Sequence, residues 1–291
     1  MIKSLILVGL IILSFLSPDN SDGSSSGSEL KADKLKAPAN GKLSVYFLNI
    51  GQGDATYIKT AAGDDILIDA GKNQAGEVVV NYLKQLGIDD IEIMIATHPD
   101  ADHVGGLDTV LKSFKVEAVY APKVSHTTDT FRDFLLAVKN EGLLIKEAKA
   151  DVTLPLKGLT AKFIGPVKTY DDDLNDWSAV LHLAYGKKSF LFTGDAEKKS
   201  EADMLQAKQT LKADVLKVGH HGSVSSTTPA FLKAVVPKYA VISVGKNSYG
   251  HPASTILNRL KSAKATIYRT DLNGTVTAVS DGKTISFRKV K

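Results

Sequence analysis

From residue 42 onward, short apolar runs alternate with polar turns that carry glycine. Residues 43–50, 56–60 and 66–69 predict three successive strands. Residues 77–86 (EVVVNYLKQL) have apolar positions at helical spacing and stop at Gly87, which predicts a helix with a C-terminal glycine. Residues 91–97 are almost continuously apolar, the pattern of a strand covered on both faces. Further strands are predicted at 116–121, 161–164, 180–184 and 189–193, with a helix at 130–141. The last third alternates helix 197–211, strand 215–218, helix 229–235, strand 240–244 and helix 254–262. It closes with strands 266–269, 275–280 and 284–288, the last two joined by Asp281-Gly282, a hairpin signal. No repeat of fixed period stands out. Many strands with interspersed helices in one block predict a single layered α/β domain over residues 42–291.

The first 41 residues break this pattern. Lys3 precedes an apolar run at residues 4–16 that is short for a membrane span and matches a secretory leader. Residues 19–27 (DNSDGSSSG) read as polar linker. The expectation is a signal peptide or anchor at 1–17 and a flexible linker at 18–41. Pro18 after Ser17 makes a poor cleavage site, so an uncleaved anchor and a short buried helix stand beside export. The protein is expected to be secreted or attached to the outer face of the cell membrane, meeting the membrane only through an uncleaved N-terminal segment. The oligomeric state is left open.

Composition narrows the chemistry. The chain of 291 residues holds no cysteine, which excludes disulfides, thiolate zinc sites, iron–sulfur clusters and cysteine nucleophiles. Any metal site must use imidazole and carboxylate, and seven histidines are present. The formal charge of +4 is mild and selects no partner.

The segment Thr97-His98-Pro99-Asp100-Ala101-Asp102-His103-Val104-Gly105-Gly106 offers four potential ligands within six positions, directly after a buried strand. A strand end fixes His98, and the turn lets Asp100, Asp102 and His103 fold back toward one point. Such donors suit zinc, manganese or iron and can divide between two ions. Asp195, in Thr-Gly-Asp after the run 189–193, reads as a ligand or as a helix N-cap. His220 and His221 should point to opposite sides of a strand end, so that one, His221, is the ligand and His220 contacts the attacked group. Ser223 can donate to an oxyanion or serve a turn. His251 lines the pocket or caps the helix at 254. Lys217 and Lys246 are the nearest basic residues in sequence, and a surface role is the commoner fate of each.

His98-x-Asp100-x-Asp102-His103 resembles the first metal motif of the metallo-β-lactamase superfamily, in the variant of ComEC/Rec2 competence-protein domains. Phe47-Leu48-Asn49-Ile50-Gly51-Gln52-Gly53-Asp54-Ala55, Ile68-Asp69-Ala70-Gly71 and Phe192-Thr193-Gly194-Asp195-Ala196 agree in order and spacing. So do Leu216-Lys217-Val218-Gly219-His220-His221-Gly222-Ser223 and Tyr249-Gly250-His251-Pro252. The resemblance implies a four-layer αββα sandwich and a metal-dependent hydrolase holding one or two divalent ions, zinc or manganese. It further implies that His98 and Asp100 serve one ion, Asp102 and His103 the other, and Asp195 both. Two departures stand out. The usual third histidine has no clear counterpart, since Asn175-Asp176-Trp177-Ser178 occupies its region, His182 lies in a strand pattern and His126 in a polar loop. Asp176 and Ser178 are therefore candidate pocket residues. Asn49 also replaces the family's common Asp.

The expected activity is phosphodiester hydrolysis through a metal-bound hydroxide, with Asp102, His220 and Ser223 in catalytic roles and extracellular DNA or another phosphodiester as substrate. Two rivals are a metal-poor DNA-binding component of DNA uptake and a phosphocholine-type esterase.

Overall fold

The structure is a computed structural model that describes residues 31–171 and 173–291. The expected leader at 1–17, and the expected linker as far as residue 30, lie outside the described residues. The first half runs β1 (Leu43–Phe47), β2 (Thr56–Lys59), β3 (Asp65–Ile68), α1 (Gly76–Gln85), β4 (Asp90–Ile91), β5 (Ile93–Ile95), α2 (Ala101–Val104), α3 (Leu107–Ser113), β6 (Lys115–Val116), β7 (Val119–Ala121), α4 (Asp129–Asn140) and β8 (Ile145–Glu147). The second runs β9 (Thr160–Gly165), β10 (Val180–Tyr185), β11 (Lys188–Phe192), α5 (Lys198–Gln206), β12 (Val215–Lys217), α6 (Pro229–Val235), β13 (Tyr239–Ile242), α7 (Ser254–Ser262), β14 (Thr266–Arg269), α8 (Thr270–Asn273), β15 (Val276–Ser280) and β16 (Ile285–Lys289).

Two sheets form, one of eight strands in the order β16-β15-β1-β2-β3-β5-β7-β8 and one of six in the order β14-β13-β12-β11-β10-β9, while β4 pairs with β6. Side chains alternate across each strand, so neighbours feed different cores. In β1, Val45 and Phe47 meet Phe163, Leu181, Phe190 and Phe192 between the sheets. Tyr46 turns the other way, into an outer core with Val79, Leu83, Val110 and Phe134 from α1, α3 and α4. On the far side Leu191, Leu216 and Ala240 pack with Met204, Phe231 and Ile256 of α5, α6 and α7. Three cores thus separate four layers, helix, sheet, sheet, helix. This is the αββα sandwich that the resemblance implies.

The run 91–97, expected as one strand, is interrupted at Glu92, whose carboxylate accepts the Asp65 N–H at 2.5 Å. The helix expected to reach 211 ends at Gln206, and Lys208 turns left-handed with φ 54°. Residues 31–41 depart from the expected linker, because they lie against the domain. The Asp33 N–H donates to the Tyr82 hydroxyl at 2.9 Å, and its carboxylate accepts the Thr275 N–H at 2.8 Å. The Tyr46 hydroxyl donates to the Lys36 carbonyl at 2.9 Å, and Ala32 and Leu35 pack on the outer core. These anchors are isolated residues in a polar stretch, too sparse to form a pattern. No helix among the described residues is long and apolar enough to cross a membrane.

β3 runs parallel to β5, and β11, β12 and β13 run parallel to one another. Within each sheet these strands therefore end at a common edge, and ligand crevices of α/β sheets form outside such carboxyl ends.

Candidate metal centre

The first sheet supplies half of the centre. Thr97 and His98 follow β5, Asp100 immediately precedes α2, and Asp102 and His103 lie on its single turn. Behind them, Asp69 at the end of β3 is held left-handed at φ 57°. Its carboxylate accepts the Thr97 N–H at 2.8 Å and the Thr97 hydroxyl at 2.7 Å, and lies 2.8 Å from His103 Nδ1. The loop after β1 closes on the same point. Gly53, at φ 138°, sits where a Cβ would come within 2.5 Å of the Asp102 carbonyl, and the Asp54 N–H donates to that carbonyl at 3.0 Å. Only glycine permits this approach.

The second sheet supplies the rest. Asp195 follows β11, its N–H donating to Ser178 Oγ at 3.0 Å. β12 ends at Lys217, so the alternation expected of His220 and His221 does not apply. Both lie in a left-handed turn, with φ 46° and 52°. Such a conformation costs about 1–3 kcal/mol per non-glycine residue, and strain of this kind concentrates at functional sites. His221 Nδ1 donates to the Ser243 carbonyl at 2.9 Å, which turns Nε2 inward. His220 Nδ1 lies 2.8 Å from Glu197, and its ring is a quarter exposed.

These side chains converge. His103 Nε2 is 3.2 Å from Asp195 Oδ2, and His221 Nε2 is 3.4 Å from Asp102 Oδ2 and 3.5 Å from Asp195 Oδ2. Donor atoms of Asp102, His103 and His221 lie within 4.8 Å of one another, as do those of His98, His103 and Asp195, and those of Asp54, Asp195 and His221. The Nε2 atoms of His98, His103 and His221, with Asp54 Oδ1 and Asp195 Oδ1, are buried without a hydrogen bond. Buried polar atoms are normally satisfied, and leaving one orphaned costs about 1–3 kcal/mol. The donors fall into separate but overlapping groups, so divalent ions bound there would satisfy them, and imidazole with carboxylate is the donor chemistry of zinc, manganese or iron. The residues fit a metal.

Electrostatics agree with that purpose. Burial works against charge on His103, but Asp195 and Asp69 outweigh it and raise its pKa well above the ordinary histidine value. The same opposition, led by Asp195, raises His221 to about 10. Burial also opposes charge on Asp195, yet His103 and His221 hold its pKa well below the carboxylate range. Burial likewise opposes charge on Asp54 and Asp102, yet Lys217 lowers the pKa of Asp54 and His221 that of Asp102. Metal ligation must displace the ring protons, so it releases protons.

The sequence profile of the metallo-beta-lactamase superfamily matches residues 48–246, the stretch that supplies these donors. The chain belongs to that superfamily. It groups with the ComEC/Rec2 competence type. It is 34% identical to ComE operon protein 3 of Bacillus subtilis (strain 168) over 250 residues, covering 80% of this chain and 32% of that protein. It is 33% identical to Recombination protein 2 of Haemophilus influenzae over 235 residues, 79% of this chain and 28% of that protein. The chain thus spans about a third of the length of these curated relatives. Among solved structures, CmlA, a diiron beta-hydroxylase from Streptomyces venezuelae, aligns over 84% of this chain and 55% of its own with a TM-score of 0.56. At 12% identity that likeness speaks for the fold alone.

Other expected metallo-beta-lactamase residues fall elsewhere. Asp100 is outside every donor cluster among the described residues; its side chain is 37% exposed and reaches only His98 Nε2, at 3.6 Å. Asp176 does not complete the His98 side, because it accepts the Ser200 N–H at 3.0 Å near the start of α5. Ser178 positions the Asp195 backbone. Ser223 is drawn into a turn, with Oγ 2.8 Å from Ser225 Oγ, which in turn lies 3.4 Å from His220 Nδ1. Asp195 does not cap α5, whose N-cap is Glu197. His251 does not cap α7, whose N-cap is Ala253; its ring lies 5.3 Å from that of His220. Lys217 is no surface residue. It is buried against Asp54 and lies 3.3 Å from the Gly194 carbonyl and 4.0 Å from Asp195, while Lys246 is exposed. The Asn49 N–H donates to Thr275 Oγ1, and its carbonyl accepts from the Tyr82 hydroxyl. His182 bonds the Lys212 carbonyl, and His126 the Thr128 hydroxyl.

Sequence reasoning left Asp54 and Asp69 out of the site. Each is a carboxylate beside glycine at the edge of a strand, in Gly-Asp and Asp-Ala-Gly, and that signal could have marked both.

Proposed function

We propose that this chain is a metal-dependent phosphodiesterase that acts outside the cell on DNA or another phosphodiester. The observation that carries the reading is the buried set of unsatisfied donors on His98, His103, His221, Asp54 and Asp195. An ion bound there supplies a Lewis acid for water and for a phosphoryl oxygen. The chain's part is to present those donors in one orientation. His220 stands beside them with Nδ1 tethered to Glu197 and Nε2 3.8 Å from Asp195. From that position it can donate to a phosphoryl or leaving oxygen.

DNA as the polymer is supported by relatives named for competence and recombination. A groove of about 640 Å³ adds to it, lined by Lys34, Lys36, Arg288 and Lys289 with Tyr46 and Phe287. Lys289 pairs with Val276, which pairs with Phe47 at the end of β1, the strand that leads into the Asp54 loop. Cations on such an edge suit a phosphate backbone. The extracellular setting rests on the leader-like run at residues 4–16.

The test uses the full chain loaded with Mn²⁺ or Zn²⁺, given single-stranded DNA, duplex DNA, a bis-aryl phosphodiester and a phosphocholine ester. Metal-dependent cleavage that Asp195→Ala abolishes is expected. A chain that holds metal and leaves every phosphodiester intact would sink the proposal. DNA binding without metal would instead favour the uptake component, the reading that the missing third histidine supports.

A further inference from the structure

We infer that Tyr249 and His251 form a stacking shelf for an unpaired nucleobase beside the metal centre, so that the strand taken there is single-stranded. The inference deepens the proposed phosphodiesterase function and rests on it. Tyr249 is 68% exposed, the one aromatic among the exposed large apolar side chains of the described residues. Its ring lies 5.7 Å from that of His251 at 32°, and the His251 ring lies 5.3 Å from that of His220. A row of rings therefore leads from the rim to the imidazole beside Asp195, with His251 meeting His220 edge-on at 77° so that the face open for stacking is that of Tyr249 and His251. His251 Nδ1, at the root of this row, is buried without a hydrogen bond.

The loop that carries the shelf is held rigidly. Asn247 Oδ1 accepts the N–H groups of Tyr249 at 3.1 Å and His251 at 3.0 Å. Its amide donates to the carbonyls of Gly245 at 2.9 Å and His251 at 2.8 Å. One end of the loop is tied to the Asp54 loop, the Gly245 N–H donating to Gln52 Oε1 at 3.2 Å. The other is tied to the histidine turn, the Ala253 N–H donating to the Gly222 carbonyl at 3.0 Å. An exposed ring on an ordered loop binds with little further loss of entropy. Every base offers a π face, so such a shelf is tolerant of sequence, but a duplex hides those faces.

The test measures fluorescence anisotropy of a short single-stranded oligonucleotide, an abasic strand of equal length and a duplex with the full chain in chelator, and KM for cleavage in Mn²⁺. Base–aromatic stacking is worth ~1–3 kcal/mol per base, so Tyr249→Ala should weaken single-strand binding and raise KM about 5- to 150-fold. Tyr249→Phe should restore both, and the abasic strand should show a smaller penalty. The shelf is wrong if Tyr249→Ala stays within about twofold of the parent on single strands, or if the parent binds duplex as tightly. A parent chain that neither binds nor cleaves DNA overturns the DNA reading itself, and the shelf with it.

Discussion

On the Asp102 side of the centre, each ring is held from behind by a strong acceptor. Asp69 holds His103 Nδ1 at 2.8 Å, and the Ser243 carbonyl holds His221 at 2.9 Å. Asp102 faces His221, and Asp195 faces both rings. On the other side, His98 Nδ1 has, among the described residues, only the Thr97 hydroxyl at 3.1 Å, and its partner Asp100 is partly in solvent. Asp176, the residue that could have joined them, is bonded to Ser200. Outer hydrogen bonds fix ring tautomer and orientation and raise ligand basicity. The two sides therefore differ in how far they are organised before an ion arrives. An ion should fill the Asp102 side first and hold there more tightly.

The largest effect should come from removing a donor on the organised side. His221→Ala should abolish metal retention and lower activity by more than the ~100-fold expected for loss of an outer partner. Metal analysis after dialysis, beside the cleavage assay, checks this, and near-parental metal content would break the assignment. Next comes Asp69→Asn, although Asp69 belongs to the support behind His103. It should weaken metal binding roughly 10- to 100-fold, read by competition with a coloured chelator. Asp100→Ala should cost less than about tenfold in the same titration, although Asp100 belongs to the motif and Asp69 does not. Reversal of that order would show that the His98 side is the tighter one.

The same contrast explains what could be read from sequence. The layers were legible because both faces of each sheet are covered, so strand alternation and glycine turns survive as local pattern. The short edge strand β8, Ile145-Lys146-Glu147, is exposed throughout and carries no such pattern. His98, Asp102 and His103 were legible because they sit within one turn of chain, while Asp100 of the same motif stays outside the donor clusters among the described residues. Asp69 meets His103 across 34 positions, and no local spacing reports that contact. Lys217 looked like any surface lysine until β12 carried it between Asp54 and Asp195. The histidine turn was misread because strand alternation stops at Lys217, and two successive left-handed residues leave no signature in their side chains.

A buried carboxylate outside the centre sharpens the comparison at its smallest scale. Glu201 of α5 is as buried as Asp195, but its oxygens accept the N–H groups of Thr227 at 2.5 Å and Thr228 at 2.8 Å. Burial outweighs those bonds and pushes its pKa from the ordinary 4.5 to about 6. Below pH 4.5 the carboxyl is protonated folded or unfolded, and its stabilisation is fully present. As pH rises toward 6 the unfolded chain sheds the proton first, so that stabilisation falls, by roughly 2 kcal/mol in all. Urea unfolding in chelator, run on the parent and Glu201→Gln from pH 4 to 7.5, should show the parent's stability relative to the variant dropping by about that amount. A difference that stays flat with pH would mean that the backbone donors have fully offset the burial. Asp195 would then differ from Glu201 not only in its unsatisfied oxygen but also in the cost of its charge.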